Sequence, residues 1–153
     1  MKIIRATPSQ SVEAELLLNE YYEAVEVVKR DTPAAIADYL SDDSSGLWIA
    51  YVDEFPAGCV VLRPLPTIGA ATECKRLYVR PQFRGRGIAD ALLDAMEGYA
   101  LEKAADWVYL DSKDDLKDAL RIYVRRGYQP CERYNDNPQA TVFLRKRLYS
   151  AAS

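Results

Sequence analysis

Glu73-Cys74-Lys75-Arg76-Leu77-Tyr78-Val79-Arg80-Pro81-Gln82-Phe83-Arg84-Gly85-Arg86-Gly87-Ile88-Ala89 is the stretch that decides the fold. From Glu73 to Val79 the residues alternate, with Glu73, Lys75, Leu77 and Val79 on one face and Cys74, Arg76 and Tyr78 on the other, the period of a β-strand. Pro81 lacks the amide that would extend a ladder, so the strand stops before it. Gly85 and Gly87 then leave a turn without side chains just where an amphipathic helix begins, with Ile88, Leu92, Ala95, Met96 and Tyr99 on one side. The N–H groups from Arg84 to Ala89 are free to point together into open space, an arrangement that suits phosphate. Five basic residues and no acidic one lie between Lys75 and Gly87, in a chain of net charge −3. Anion attraction is therefore expected to be local to this turn.

Working outward, the flanks alternate between strand and helix signals. Upstream, Leu47 to Val52 and Ala57 to Leu62 are β-rich runs joined by Asp53-Glu54-Phe55-Pro56, an antiparallel hairpin. Before them, Lys2 to Ala6 reads as a short strand. Thr7, Pro8 and Gln10 form a capping-box pattern that starts a helix reaching about Lys29, with Val12, Leu16, Leu17, Tyr21 and Val25 as its apolar face. Pro33 to Leu40 suggests a shorter helix. Downstream, Trp107 to Leu110 is a strand closing on Asp111-Ser112, and a helix from about Asp114 to Arg126 stops at Gly127. Tyr128 to Tyr134 and Thr141 to Leu148 read as the last strands, and 150–153 as a frayed tail. The order is mixed α/β in one domain over 1–149.

Composition narrows the function. At 49% hydrophobic and 28% charged, the 153-residue chain reads as an ordinary globular protein. No apolar run is long enough for a bilayer and the N-terminus lacks a signal-peptide core, so a cytoplasmic location with no membrane partner is the expectation. Cys59, Cys74 and Cys131 are too few and too widely spaced for a disulfide framework or a metal site, and are read as reduced and mostly buried. The chain has no histidine. That excludes a Ser-His-Asp or Cys-His pair and a His base, and leaves acid–base work to Glu, Asp, Tyr, Lys or Cys. With the basic cluster confined to one turn of an acidic chain, nucleic acid is not an expected partner.

The glycine turn can be tested by spacing. Asp90 stands where a dinucleotide fingerprint needs its third small residue, and the Lys of a P-loop is absent. What remains, Gln82-x-x-Gly85-x-Gly87 between strand and helix, resembles the acyl-CoA pyrophosphate loop of the GNAT superfamily of N-acetyltransferases. Two further segments agree. Ala119-x-x-x-Tyr123-x-x-x-Gly127-Tyr128 is similar to a signature on the family's helix after its fifth strand. Tyr134-x-x-Asn137-Pro138 is similar to the Y-x-D-N-P signature of a subgroup whose strand reads C-E-x-K-R-L-Y-V-R-P. One departure is Leu116, where many members carry an Asn, so a cofactor hydrogen bond from that position is not expected.

The resemblance implies a mostly antiparallel sheet of six or seven strands flanked by about four helices, with two central parallel strands splayed to hold acyl-CoA. It implies direct acetyl transfer from acetyl-CoA, as cosubstrate, to an amine, with a small-molecule amine and a peptide or protein amine both open as acceptors. A lysine-like amine of pKa about 10.4 is mostly protonated near neutral pH, so a base is needed. Glu73 is the candidate, directly or through water, and Tyr123 the candidate donor to the leaving thiolate. Backbone groups of Leu77, Tyr78 and Val79 would hold the pantetheine arm, and Arg84, Gly85, Arg86, Gly87, Ile88 and Ala89 the pyrophosphate. Tyr134 and Asn137 are substrate-side candidates. Glu73 also fits a plain ion pair with Lys75 or a cross-strand cation, Tyr123 a packing role, and Tyr134 and Asn137 a turn. The competing function is a non-catalytic acyl-CoA-binding or sensor module, which would keep the glycine turn but have no use for Glu73 and Tyr123. By analogy with the family, a homodimer is the expected assembly.

Overall fold

The computed structural model describes residues 1–149, and the tail expected over 150–153 lies outside the described residues. β1 (Lys2–Arg5) runs into a single 3-10 turn, Pro8–Gln10, where the capping box forms as expected. Thr7 N donates to Gln10 Oε1 at 2.8 Å while the Thr7 hydroxyl accepts from Ser9 N. α1 (Ser11–Val25) follows. Its buried side is Ala14, Leu17, Leu18 and Tyr22, whereas Val12 is 76% and Leu16 42% exposed. The expected face is thus rotated. Two stripes of nearly the same spacing overlap in this helix, and the one that begins at the small Ala14 packs on the sheet.

α2 (Pro33–Ser41) starts at Thr32, whose Oγ1 accepts from Ala35 N at 3.1 Å, with Pro33 in the first position. β2 (Gly46–Val52) and β3 (Phe55–Pro64) form the expected hairpin, but its loop is only Asp53 and Glu54. Their φ values are 49° and 71°, as a type I′ turn requires. β4 (Ala71–Val79), α3 (Ile88–Glu102), β5 (Trp107–Ser112) and α4 (Lys117–Arg125) come next, then β6 (Gln129–Pro130) and β7 (Val142–Arg147). α4 ends in a Schellman motif at Gly127, φ 96°, with Tyr128 N donating to Tyr123 O and Gly127 N to Val124 O. β6 is far shorter than the strand expected over Tyr128 to Tyr134. Pro130 has no amide to continue the ladder, and the chain beyond it turns back over the sheet.

The sheet has seven strands in the order β1-β2-β3-β4-β5-β7-β6. Only β4 and β5 are parallel. One face carries α3, with Leu92, Leu93 and Met96 fully buried beside Val60, Val108 and Leu110. The other carries α1 and α2 on Leu47, Ile49, Cys59 and Val61. Cys59 and Cys74 are buried free thiols and Cys131 is half-buried. No helix among the described residues is long and apolar enough to cross a membrane.

β4 breaks the simple alternation. Val61 pairs with Lys75 and Cys59 with Tyr78, so Arg76 and Leu77 together stand opposite Val60. This is a β-bulge, and Arg76 sits in it at φ 59°. Before the bulge Cys74 faces α3, while Glu73 and Lys75 lie opposite Arg63 and Val61 on the α1 face. After it Leu77 and Val79 face α3 and Tyr78 faces α1. Glu73 and Lys75 therefore do not share a face with Leu77 and Val79, contrary to the alternation expected from sequence.

Candidate active site

β4 and β5 pair only from Ala71/Trp107 to Glu73/Tyr109. Beyond that point β5 continues against β7, and β4 has β3 on one side and no strand on the other. The sheet thus opens into a fork whose apex is Glu73. Past the apex, backbone groups of Leu77 to Val79 on the β5 side have no ladder partner.

Glu73 is 2% exposed. Arg63 Nε donates to its Oε1 at 2.8 Å, and Tyr134 Oη and Asn135 Nδ2 donate to its Oε2 at 2.7 and 3.2 Å. The cross-strand cation is Arg63, set opposite by the β3–β4 register, and not Lys75. Three donors fill three of roughly four lone-pair directions on a carboxylate, leaving room for one more. Asn135 also donates to Asp111 Oδ2 at 2.6 Å, so one amide bridges two carboxylates. Asn137 shapes the loop, with its N donating to Asn135 Oδ1 and its Oδ1 accepting from Gln139 N. Its amide lies 3.4 Å from Asp111 Oδ1. Burial, then the neighbouring Glu73 charge, pushes the Tyr134 phenol far above its ordinary value.

A second cluster forms the α1 wall. The Asp31 carboxylate accepts from Tyr22 Oη at 2.8 Å, Tyr39 Oη at 3.0 Å and Arg76 Nε at 3.2 Å. Burial opposes the Asp31 charge, but the Arg76 guanidinium and these bonds outweigh it and hold the carboxyl below its usual value. The Arg76 guanidinium also lies over the rings of Tyr21 and Tyr22.

Tyr123 comes from α4 on the opposite face and packs edge-on against Tyr128. Its hydroxyl has no hydrogen-bond partner among the described residues. Burial, followed by the charges of Cys74, Tyr21 and Asp111, raises it well above the ordinary tyrosine value. Those groups belong to β4, α1 and β5, which meet at the fork.

At the far end of β4, Pro81–Phe83 forms a 3-10 turn and Gly87 caps α3. Gly85 and Gly87 have φ of 80° and 75°, and a Cβ on either would meet no atom within 4 Å. The first α3 bond runs from Ala91 N to Gly87 O, so the amides from Gly85 to Asp90 have no acceptor among the described residues. A helix N-terminus of bare amides behind an open surface fits a diphosphate. Arg84 Nε is used on Val79 O, and Arg86 stacks over Phe83. The five basic residues do not act together there: Arg76 is paired with Asp31, Arg80 with Glu20, and Lys75 faces α1.

The model of the Acetyltransferase (GNAT) family matches residues 13–128. The chain belongs to the GNAT acetyltransferase family. As a GNAT chain it is 36% identical over 85 residues to an uncharacterized N-acetyltransferase of Schizosaccharomyces pombe, covering 56% of this chain and 52% of that one. It is 31% identical over 99 residues to N-acetyltransferase 8B of Rattus norvegicus, covering 63% and 45%. The chain spans about half the length of these curated relatives. A GNAT acetyltransferase structure from Staphylococcus aureus superposes with TM-score 0.81 at 19% identity, over 97% of this chain and 99% of that one. The PaiA N-acetyltransferase of Thermoplasma acidophilum, solved in complex with coenzyme A, superposes with TM-score 0.71 at 14% identity, covering 96% and 98%. The fold, with its forked parallel pair in a mostly antiparallel sheet, is the GNAT fold expected from the motifs.

The sequence reading missed Arg63, Asp31, Asp111 and Asn135. Asn135 sits inside the quoted Tyr134 to Pro138 motif, and its amide, more than that of Asn137, reaches the carboxylates.

Proposed function

We propose that this chain is an acetyl-CoA-dependent N-acetyltransferase acting in the cytoplasm through a single domain over 1–149. The observation that carries the reading is the fork past Glu73, with a buried, multiply hydrogen-bonded carboxylate at its apex and a cradle of free amides at its mouth.

The Gly85 to Ala89 amides would hold the pyrophosphate, with Arg84 and Arg86 adding positive charge at its rim. The edge of β4 from Leu77 to Val79, which has no strand beside it and whose Val79 O accepts from Arg84 Nε, would pair with the amide-rich pantetheine arm, much as a strand edge takes a peptide. Bound acetyl-CoA supplies a thioester carbonyl that a neutral amine attacks, the C–N bond forming as the C–S bond breaks. Glu73 takes the amine's proton through a water in its remaining lone-pair direction, a role worth about 10²- to 10⁴-fold for a positioned base. Tyr134 and Asn135 fix the carboxylate, and Tyr134 with Asn137 line the acceptor side. Tyr123 keeps its proton at neutral pH, since its phenol is held above the ordinary value. It therefore stabilises the departing thiolate by donating a hydrogen bond.

The test is release of free thiol from acetyl-CoA by purified protein against amino acids, polyamines, arylamines, aminoglycosides and short peptides. Amine-dependent release that falls sharply in Tyr123→Phe supports the reading. Acetyl-CoA binding with no release for any amine would favour a sensor module, and absence of binding would end the proposal.

A further inference from the structure

Resting on that reading, we infer that the amine acceptor is an amino acid whose carboxylate is received by the Lys75 ammonium. Lys75 lies on the acceptor face of β4, opposite Val61 and two residues from Glu73. It is half-buried, yet no residue among those described pairs with it or hydrogen-bonds it. The two carboxylates whose charge reaches it are already engaged. Glu73 is taken by Arg63, Tyr134 and Asn135, and Asp31 by Arg76, Tyr22 and Tyr39. An ammonium left half-buried and repelled by two guanidiniums is costly unless an anion joins it. Burial first, then the Arg76 and Arg63 charges, lowers its proton affinity by more than Glu73 and Asp31, each already shared with one of those arginines, raise it.

The remaining charge on this face has the opposite sign and sits on the neighbouring strand. Among the described residues Asp111 receives only the neutral amides of Asn135 and Asn137, and no cation pairs with it. Once the internal pairs cancel, β4 presents a positive pole at Lys75 and β5 a negative pole at Asp111. A zwitterionic amino acid matches both, with its carboxylate on Lys75 and its amino group toward Asp111 and the Glu73 apex. The two walls also meet on this side. Gln139 bridges from the β6–β7 loop to Glu26 O and Val28 N, and Lys113 Nζ donates to Val25 O, which favours a small acceptor.

The experiment compares matched pairs as acceptors: each of the common amino acids and β-alanine against its primary amide and its decarboxylated amine. Thiol release is followed with the wild type, Lys75→Met and Lys75→Arg, and acetyl-CoA affinity is measured by calorimetry on the same samples. The wild type is expected to prefer at least one acid over its amide by about 10- to 100-fold, the range of one charge-assisted bond. Lys75→Met loses that preference by raising the acceptor KM, Lys75→Arg retains part of it, and acetyl-CoA affinity stays the same in all three. Equal use of acid and amide by the wild type, use of decarboxylated amines alone, or a preference that survives in Lys75→Met overturns the inference. So does acetyl-CoA binding with no acid consumed. Loss of acetyl-CoA binding in the wild type would instead overturn the acyltransferase reading itself.

Discussion

Replacing Gly85 with valine separates the fold from the cofactor cradle. Gly85 has φ 80°, and a Cβ there meets no atom within 4 Å, so the free protein loses only backbone strain. A non-glycine residue in the left-handed region costs about 1–2 kcal/mol. Against a domain stability of about 5–15 kcal/mol the chain still folds. The open space that spares the fold is the space where a diphosphate would lie. Two valine methyls fill it, and relaxation of φ turns the neighbouring amides away. Each charge-assisted hydrogen bond is worth about 1.5–3 kcal/mol. Loss of two is about 3–6 kcal/mol, or roughly 10²- to 10⁴-fold in affinity. Urea denaturation gives the first figure, and calorimetry with acetyl-CoA beside S-acetylpantetheine gives the second. The truncated thioester lacks the diphosphate, so its affinity should be the same for wild type and Gly85→Val. An equal loss for both ligands, or acetyl-CoA binding undiminished, would refute the assignment of this turn.

Other perturbations address the apex and the α1 wall. Tyr123→Phe removes a hydroxyl with no partner among the described residues, so no hydrogen bond is lost and stability should fall by less than the about 1 kcal/mol that one is worth. Turnover should fall far more than the acetyl-CoA KM rises, and unchanged turnover removes Tyr123 from the reaction. Glu73→Gln should lower turnover by about 10²- to 10⁴-fold near neutral pH. Because Arg63 is 45% exposed and water can reach it, the accompanying stability loss should stay below the about 3 kcal/mol expected for a fully buried pair. Asp31 has a folded-state value below its unfolded one, so its contribution is present above the unfolded value and vanishes as pH falls through the folded one. Asp31→Asn should therefore destabilise the protein at pH 7, and its urea midpoint should drop less than the wild type's on acidification below about pH 4. Parallel midpoints over that range would show that the Asp31–Arg76 pair contributes nothing.

Local chemistry made much of the fold legible. The Thr7 capping box, Pro33 at the start of α2, Gly127 behind α4 and the two glycines before α3 each act within a few residues, and each appears where the pattern placed it. What the pattern did not carry depends on pairing between distant segments. Arg63 meets Glu73 only because β3 and β4 adopt one register, and Asp31 lies in an irregular segment with no periodicity to mark it. The bulge was invisible for a different reason. Its left-handed residue is Arg76, where a glycine or asparagine would have given the signal. In α1, two apolar stripes of similar spacing could not be ranked without knowing which one the sheet would accept.

The bulge gives β4 two parities. Up to Lys75 the odd-numbered residues look toward the acceptor side, and from Tyr78 the even-numbered ones do. A regular strand could not present both Glu73 and Tyr78 to the same side, because they stand five positions apart. Deleting one of the two bulge residues would leave a regular ladder with Glu73 and Tyr78 still on the acceptor side, but the single residue then opposite Val60 would face α3, and the Arg76–Asp31 pair would be lost. The extra residue is thus what carries Arg76 into the α1 wall, and a one-residue gap here would empty that wall of its cation while leaving the Glu73 apex in place.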